Sequence, residues 1–382
     1  MIGRNIPFVD PSIDSSEAQA VNEVIKSKNL VEGKYARSFE DKFKKLASVN
    51  HAIACNNGTT ALHLAMEASP IKPGDEVITT PFTFIATSNS ILFTGAVPKF
   101  IDIDTNSWNL DPELIEAAIT DKTKAIMPVH IYGLAADMKA IRDIAEDRDL
   151  FIIEDAAQAH GAKIDGQHVG GFGDIAAFSL YVTKNLIAGE GGVVTTNDDD
   201  LAEKIISLKN HGRTLQGGYK HVRVGYNFRL ADVCAAIADA QMDKIEDLLK
   251  IRDRNAKYYR KIIDEIPNID YQHIPSGMTH GNYIFAIDTR NHKIKPTEAV
   301  EKFKEKNVLT RPIYSTLSYQ QENFKNIQSW RWADYVKFPD YNKVKLPISE
   351  DIAINHFEVP VVPSLTIEEM EYVGQSIIDI FQ

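Results

Sequence analysis

The run His51-Ala52-Ile53-Ala54-Cys55-Asn56-Asn57-Gly58-Thr59-Thr60-Ala61-Leu62-His63-Leu64-Ala65-Met66-Glu67-Ala68 decides the fold class. It opens as an apolar strand over His51–Cys55, crosses a turn of small polar residues, and continues from residue 60 to 68 as an amphipathic helix. Outward from it the same alternation repeats. Apolar runs at 76–78, 97–101, 125–128 and 150–153 predict strands, and the patterns at 84–93, 112–119 and 138–146 predict helices between them. Strands alternating with helices predict an α/β fold: a mostly parallel sheet covered on both faces, with ligands at the carboxyl ends of its strands.

Beyond residue 174 the pattern changes. Apolar runs at 175–181 and 192–196 flank a glycine-rich connection, a helix is predicted at 201–210, and one long helix from near Leu230 toward Tyr258. The remainder mixes strands at 283–288 and 308–311 with helices at 297–306 and 367–380. This predicts a large α/β domain over residues 1–250, N-terminal segment included, and a smaller α+β domain over 251–382. A chain of 382 residues has room for both.

Composition excludes several function classes. With 42 basic and 53 acidic residues the net charge is −11, and no basic run offers a footprint for a phosphate backbone, so nucleic acid is not an expected partner. Cys55 and Cys234 are too few for a disulfide framework and lack metal-ligand spacing, which fits a reducing cytoplasm and no metal. The start Met1-Ile2-Gly3-Arg4-Asn5-Ile6-Pro7 has no apolar core of a secretory signal, and the longest uncharged stretch, 78–98, contains Pro81 and Asn89 and makes a poor membrane span. A cytoplasmic protein without a membrane partner is expected.

Three segments carry chemistry. The turn Asn57-Gly58-Thr59-Thr60 brings a helix N-terminus to the end of a strand, where free N–H groups and the helix dipole suit a phosphate. A capping role explains Asn57 or Thr59 equally well. In Phe151-Ile152-Ile153-Glu154-Asp155-Ala156-Ala157-Gln158-Ala159-His160-Gly161 an apolar strand ends in two carboxylates, and Asp155 could pair with a cationic ring nitrogen. Read alone, the segment favours solvated strand-end carboxylates. In Phe178-Ser179-Leu180-Tyr181-Val182-Thr183-Lys184-Asn185 a lysine follows an apolar strand among small residues. A lysine taken out of water favours the neutral amine that attacks an aldehyde; a surface lysine in a loop is the bland alternative. Phosphate cradle, ring-nitrogen carboxylate and Schiff-base lysine are together what pyridoxal phosphate needs, and Phe84, which alone reads as core, is the candidate to lie on its ring. Neither a Walker loop nor a dinucleotide glycine fingerprint is present.

These residues resemble the sugar aminotransferases of the DegT/DnrJ/StrS type, which are fold-type I pyridoxal-phosphate enzymes. The likeness runs along nearly the whole chain. It is carried by Asn57-Gly58-Thr59-Thr60-Ala61-Leu62-His63, Pro81-Phe82-Thr83-Phe84, Val129-His130-Ile131-Tyr132-Gly133, Glu154-Asp155-Ala156-Ala157-Gln158, Phe178-Ser179 to Lys184-Asn185, and Gly225-Tyr226-Asn227-Phe228-Arg229. The resemblance implies that Lys184 forms the Schiff base and moves the proton between cofactor and substrate carbons. It implies that Asp155 keeps the pyridine nitrogen protonated, that Gln158 addresses the ring hydroxyl, and that Gly58, Thr59, Thr60 and Ser179 bind the phosphate beneath a ring stacked on Phe84. It further implies a homodimer in which Asn227 reaches the neighbouring subunit's cofactor phosphate, and transfer of an amino group from glutamate or glutamine to a nucleoside-diphosphate keto sugar in amino-sugar and polysaccharide biosynthesis. Lys34, Arg213, Lys220, Arg229 and Arg311 are the basic residues that could line the sugar-nucleotide cleft. The chain departs from the family at Val182, at Ile187-Ala188-Gly189-Glu190 and at Arg311-Pro312-Ile313-Tyr314-Ser315-Thr316-Leu317-Ser318-Tyr319, which lacks the usual histidine. Two rivals on the same fold are a sugar dehydratase, in which a histidine would replace Lys184, and a non-catalytic regulator, which would be expected to lose Lys184 or Asp155.

Overall fold

The structure, a computed structural model, describes residues 5–215 and 218–382. Met1 to Arg4 of the N-terminal stretch therefore lie outside the described residues. Seven strands form the central sheet: β1 (His51–Cys55), β2 (Glu76–Thr79), β3 (Val97–Phe100), β4 (Thr123–Met127), β5 (Phe151–Asp155), β6 (Ile175–Ser179) and β7 (Gly192–Thr196), in the spatial order β1-β7-β6-β5-β4-β2-β3. Only β7 runs against its neighbours, pairing antiparallel with both β1 and β6, while the pairs from β6 through β3 are parallel. Every residue of β6 and β7 is buried, as expected of a sheet covered on both faces. The α/β class and its mostly parallel sheet are those predicted.

Several boundaries differ. The helix expected over 112–119 divides into a 3₁₀ turn at Pro112–Leu114 and a short α-helix at Ile115–Ala118. The single long helix expected from Leu230 is two helices, Asp232–Met242 and Ile245–Ile263. The break is set by partners distant in the chain: Gln241 Nε2 donates to the Ser12 carbonyl at 2.8 Å, and Lys244 Nζ pairs with Asp14 at 2.9 Å and Glu17 at 2.6 Å. Both side chains thus pin the first helix, Ser15–Ser27, across the junction. The strand expected over 308–311 is absent; Val308 and Arg311 make only isolated bridges, to Ile6 and Glu358.

A second, three-stranded sheet of Asp270–Tyr271, Phe285–Asp288 and His356–Val359 carries its own buried cluster, which includes Tyr259, Phe285, Phe303, Phe357 and Ile377. Ile6 is the early residue in that cluster, fully buried, with its N–H on the Asn307 carbonyl at 2.8 Å and its carbonyl accepting from Leu309 at 2.9 Å. A different cluster joins Phe82, Val97 and Trp108 to Phe324, Tyr341 and Ile352, so the segment after residue 310 packs beside the β2–β3 edge of the main sheet. Among the described residues no helix is long and apolar enough to cross a membrane.

Candidate active site

Because β1, β2, β4, β5 and β6 run together, the turns that follow them open at one edge of the sheet. The turn after β1 starts the helix Gly58–Ala68. Asn57 caps it through a reciprocal box: its Oδ1 accepts from the Thr60 N–H at 2.8 Å, and its own N–H donates to Thr60 Oγ1 at 3.2 Å. The Thr60 hydroxyl is further tied to Asn56 Oδ1 at 2.6 Å, so Thr60 serves the cap. The N–H groups of Gly58 and Thr59 then point outward from the helix start, as the first N–H groups of any helix do. Gly58 is obligatory for closeness: a Cβ there would stand 2.6 Å from Ser179 Cβ. Ser179 ends β6, and Gly192 pairs with both Ser179 and Cys55, so the first helix turn and the end of β6 form one small-walled cradle.

Next to it lies Asp155, 4% exposed and held by neutral donors only, Thr87 Oγ1 on Oδ2 at 2.6 Å and the Ala157 N–H on Oδ1 at 3.1 Å. Burial pushes its carboxyl above the ordinary aspartate value, and the two hydrogen bonds and the charge of Lys184 offset only part of that rise. Among the described residues no cation is in contact with this buried carboxylate. The Thr87 hydroxyl oxygen also lies 3.1 Å from the Phe84 carbonyl and accepts from Thr83 Oγ1 at 2.9 Å, which fixes the Phe84 turn relative to Asp155. Phe84 is 56% exposed, so the ring does not lie in the core.

Glu154 and Asp155 are both buried, against the solvated reading. Glu154 points to the other side of the strand, where it accepts from the N–H groups of Gly170, Phe172 and Gly173 at 2.9, 2.8 and 2.7 Å and bonds His130 Nε2 at 3.0 Å. Since His130 Nδ1 accepts from the Ala136 N–H at 3.0 Å, the proton sits on Nε2 and the imidazole donates to Glu154. Burial alone would raise the Glu154 carboxyl, but the hydrogen bond from His130 and the backbone donors outweigh it and hold it below the ordinary range. Glu154 is thus an anchor for the turn that feeds β6.

Gln158 is oriented by its neighbours. Its Oε1 accepts from the Tyr132 N–H at 3.0 Å, and its Nε2 donates to the Tyr314 hydroxyl at 3.1 Å, leaving one amide N–H unspent. Lys184 Nζ stands 4.1 Å from the centroid of the Tyr283 ring, whose hydroxyl bonds Thr183 Oγ1 at 2.9 Å. Lys184, Asp155, Gln158, Ser179 and the Gly58 turn therefore share one edge of the sheet. Asn227 does not join them through any side-chain bond; it is exposed, bridged through its backbone to Asn210.

The basic candidates scatter. Arg311 pairs with Glu358 at 2.5 Å, lies over the Phe8 ring at 4.4 Å, and lines a cavity with Thr183 and Tyr283. Arg229 donates to Asn210 Oδ1 at 2.7 Å, Lys34 faces Glu23 at 3.5 Å on the surface, and Arg213 and Lys220 belong to an outer loop that also exposes Leu215, Tyr219, Val222 and Val224. Thr87, Tyr132, Tyr283 and Tyr314 are site residues that sequence reasoning did not assign, and no local pattern points to their roles.

Comparison with known proteins decides the family. The chain matches the DegT/DnrJ/EryC1/StrS aminotransferase family over residues 11–378. It belongs to that family. It is 36% identical over 376 residues to the GDP-perosamine synthase of Escherichia coli O157:H7, covering 97% of either chain. It is 35% identical over 353 residues to the UDP-N-acetyl-3-dehydro-alpha-D-glucosamine 3-aminotransferase of Acidithiobacillus ferrooxidans, covering 92% of this chain and 89% of that one. The crystal structure of S. venezuelae DesV in complex with a ketimine intermediate superposes with a TM-score of 0.90 at 30% identity over 99% of each chain. This member of the family is accordingly an enzyme, a sugar aminotransferase, and the fold-type I expectation stands.

Proposed function

We propose that this aminotransferase takes an amino group from glutamate or glutamine and delivers it to a keto sugar carried on a nucleoside diphosphate, using pyridoxal phosphate held at Lys184. The observation that carries the reading is Asp155: a buried carboxylate with only neutral donors, raised by burial, near the one lysine of the site. A protonated pyridine nitrogen is the cation it lacks, and the Gly58–Ser179 cradle, too tight for any added Cβ, fits a phosphate approaching backbone N–H groups. The cofactor, when bound, supplies an electron sink for the carbon that gains or loses the amine.

The chain's own groups do the rest. Lys184 offers the amine that holds the aldehyde and, once free, carries a proton from Nζ to and from the reacting carbon. Asp155 keeps the ring nitrogen protonated, and Thr87 keeps Asp155 in place. Gly58, Thr59 and Ser179 bind the phosphate, Phe84 covers the ring face, and the spare N–H of Gln158 meets the ring hydroxyl. Two copies of the chain complete the site: Leu215, Tyr219, Val222 and Val224, each exposed, suit contact with a second copy, and the exposed Asn227 reaches the partner's phosphate. The enzyme works in the cytoplasm, in amino-sugar and polysaccharide biosynthesis.

An absorption spectrum tests this. With pyridoxal phosphate the protein should show a band at roughly 410–430 nm that glutamate shifts toward roughly 330 nm. Lys184→Ala should keep the fold and lose both band and transamination. Turnover by that variant at the unsubstituted rate would remove Lys184 from its role.

A further inference from the structure

Tyr314 occupies a place in the site that the reading above leaves without a task. Its ring is stacked on Tyr132, with centroids 5.8 Å apart and planes 12° from parallel, and meets the Phe82 ring edge-on at 6.2 Å. Its backbone is left-handed, with φ of 50°, a region costly for a bulky side chain and retained where surroundings impose it, often at functional sites. Packing on two aromatics and an unfavourable backbone together aim one group, the phenol hydroxyl, at Gln158.

That hydroxyl is used as an acceptor. Gln158 Nε2 donates to it at 3.1 Å, and the amide cannot be reversed, because its Oε1 takes the Tyr132 N–H. Among the described residues no acceptor receives the Tyr314 proton. Burial raises this hydroxyl well above the ordinary tyrosine value, with the charges of Tyr283, Asp155 and Glu358 adding to the rise and Arg311 opposing it, so the group keeps its proton through the working pH range. It is a held, unspent donor beside the amide that has one N–H to spare.

We infer that Tyr314 is a further cofactor-contacting residue, whose O–H donates to the ring oxygen of pyridoxal phosphate together with the spare N–H of Gln158. This rests on the cofactor reading above. Two donors on that oxygen favour its deprotonated form, and a proton on the nitrogen next to it is then released at lower pH. The segment 311–319, which departs from its family at the usual histidine, thereby gains a role in setting the protonation of the cofactor.

The test is a pH titration of the band at roughly 410–430 nm in the holoenzyme. Tyr314→Phe keeps the ring and its stacking and removes only the donor; a melting curve checks that the fold is kept. A hydrogen bond to a charged acceptor corresponds to roughly one to two units in the titration midpoint, so the midpoint of Tyr314→Phe should rise by that amount and cofactor affinity should fall roughly tenfold. Should the Phe variant not fold, Tyr314→Leu, which also lacks a donor, is read in the same way. A midpoint equal to that of the unsubstituted enzyme overturns the inference and leaves the cofactor reading intact. Absence of any band in the unsubstituted enzyme overturns both.

Discussion

Replacing Glu154 by glutamine should loosen the active-site edge from below. The carboxylate accepts four bonds, two on each oxygen: Phe172 and Gly173 on Oε1, Gly170 and His130 on Oε2. An amide offers one oxygen, so in either orientation its NH₂ faces two N–H donors. Each buried donor left unpaired costs about 1–3 kcal/mol, which gives a loss of about 2–6 kcal/mol. With a urea slope of about 3 kcal/mol per molar, the midpoint at pH 7 should fall by roughly 0.7–2 M. The sign with pH follows from the lowered folded-state value of Glu154: its contribution is present above the unfolded value and is lost as pH falls through the lower, folded one. The unsubstituted protein should therefore approach Glu154→Gln in stability below about pH 4. Urea titrations followed by circular dichroism at pH 7 and at acid pH measure both effects. A variant whose midpoint at pH 7 lies within about 0.2 M of the unsubstituted protein would refute the anchoring role of Glu154.

Asp155→Asn should fold with little loss, since the carboxyl is already raised by burial, and should lose most transamination because an amide cannot hold the ring proton; an unaffected rate in a glutamate-dependent assay would give the ring nitrogen another partner. Gly58→Ala places a methyl 2.6 Å from Ser179 Cβ, so cofactor affinity, read by fluorescence titration, should drop at least tenfold, and unchanged affinity would move the phosphate elsewhere. His168 and His356 are both depressed by burial to about 4. Both must charge on unfolding in acid, so their contribution is full above the unfolded value of about 6.5 and is lost as pH falls from there to about 4; a urea midpoint that stays flat between those pH values would contradict it.

Much of this architecture could be read from the sequence because it rests on local signals. The strand at His51–Cys55, the capped turn after it and the run ending in Asp155 each combine a period with a terminator, and the structure keeps them within a residue or two. What escaped depends on partners distant in the chain. The break after Met242 is set by Ser12, Asp14 and Glu17, and the role of Glu154 by Gly170 and Gly173, contacts to which no periodicity points. Phe84, read by itself, looks like core, and its 56% exposure leaves only its reading as a ring to lie on the cofactor. Tyr314 is invisible to pattern reading, since its place depends on a left-handed backbone and on a ring stacked from residue 132.

The pairing of Ile6 with residues 307–309 also sets an order of events during synthesis. Ile6 leaves the ribosome about 300 residues ahead of these partners, roughly 15–60 s at ordinary elongation rates. Throughout that interval the segment around Ile6 lacks these partners, while the strands of the main sheet are already emerging in a workable order. The C-terminal cluster is thus closed by a segment made about 300 residues before it.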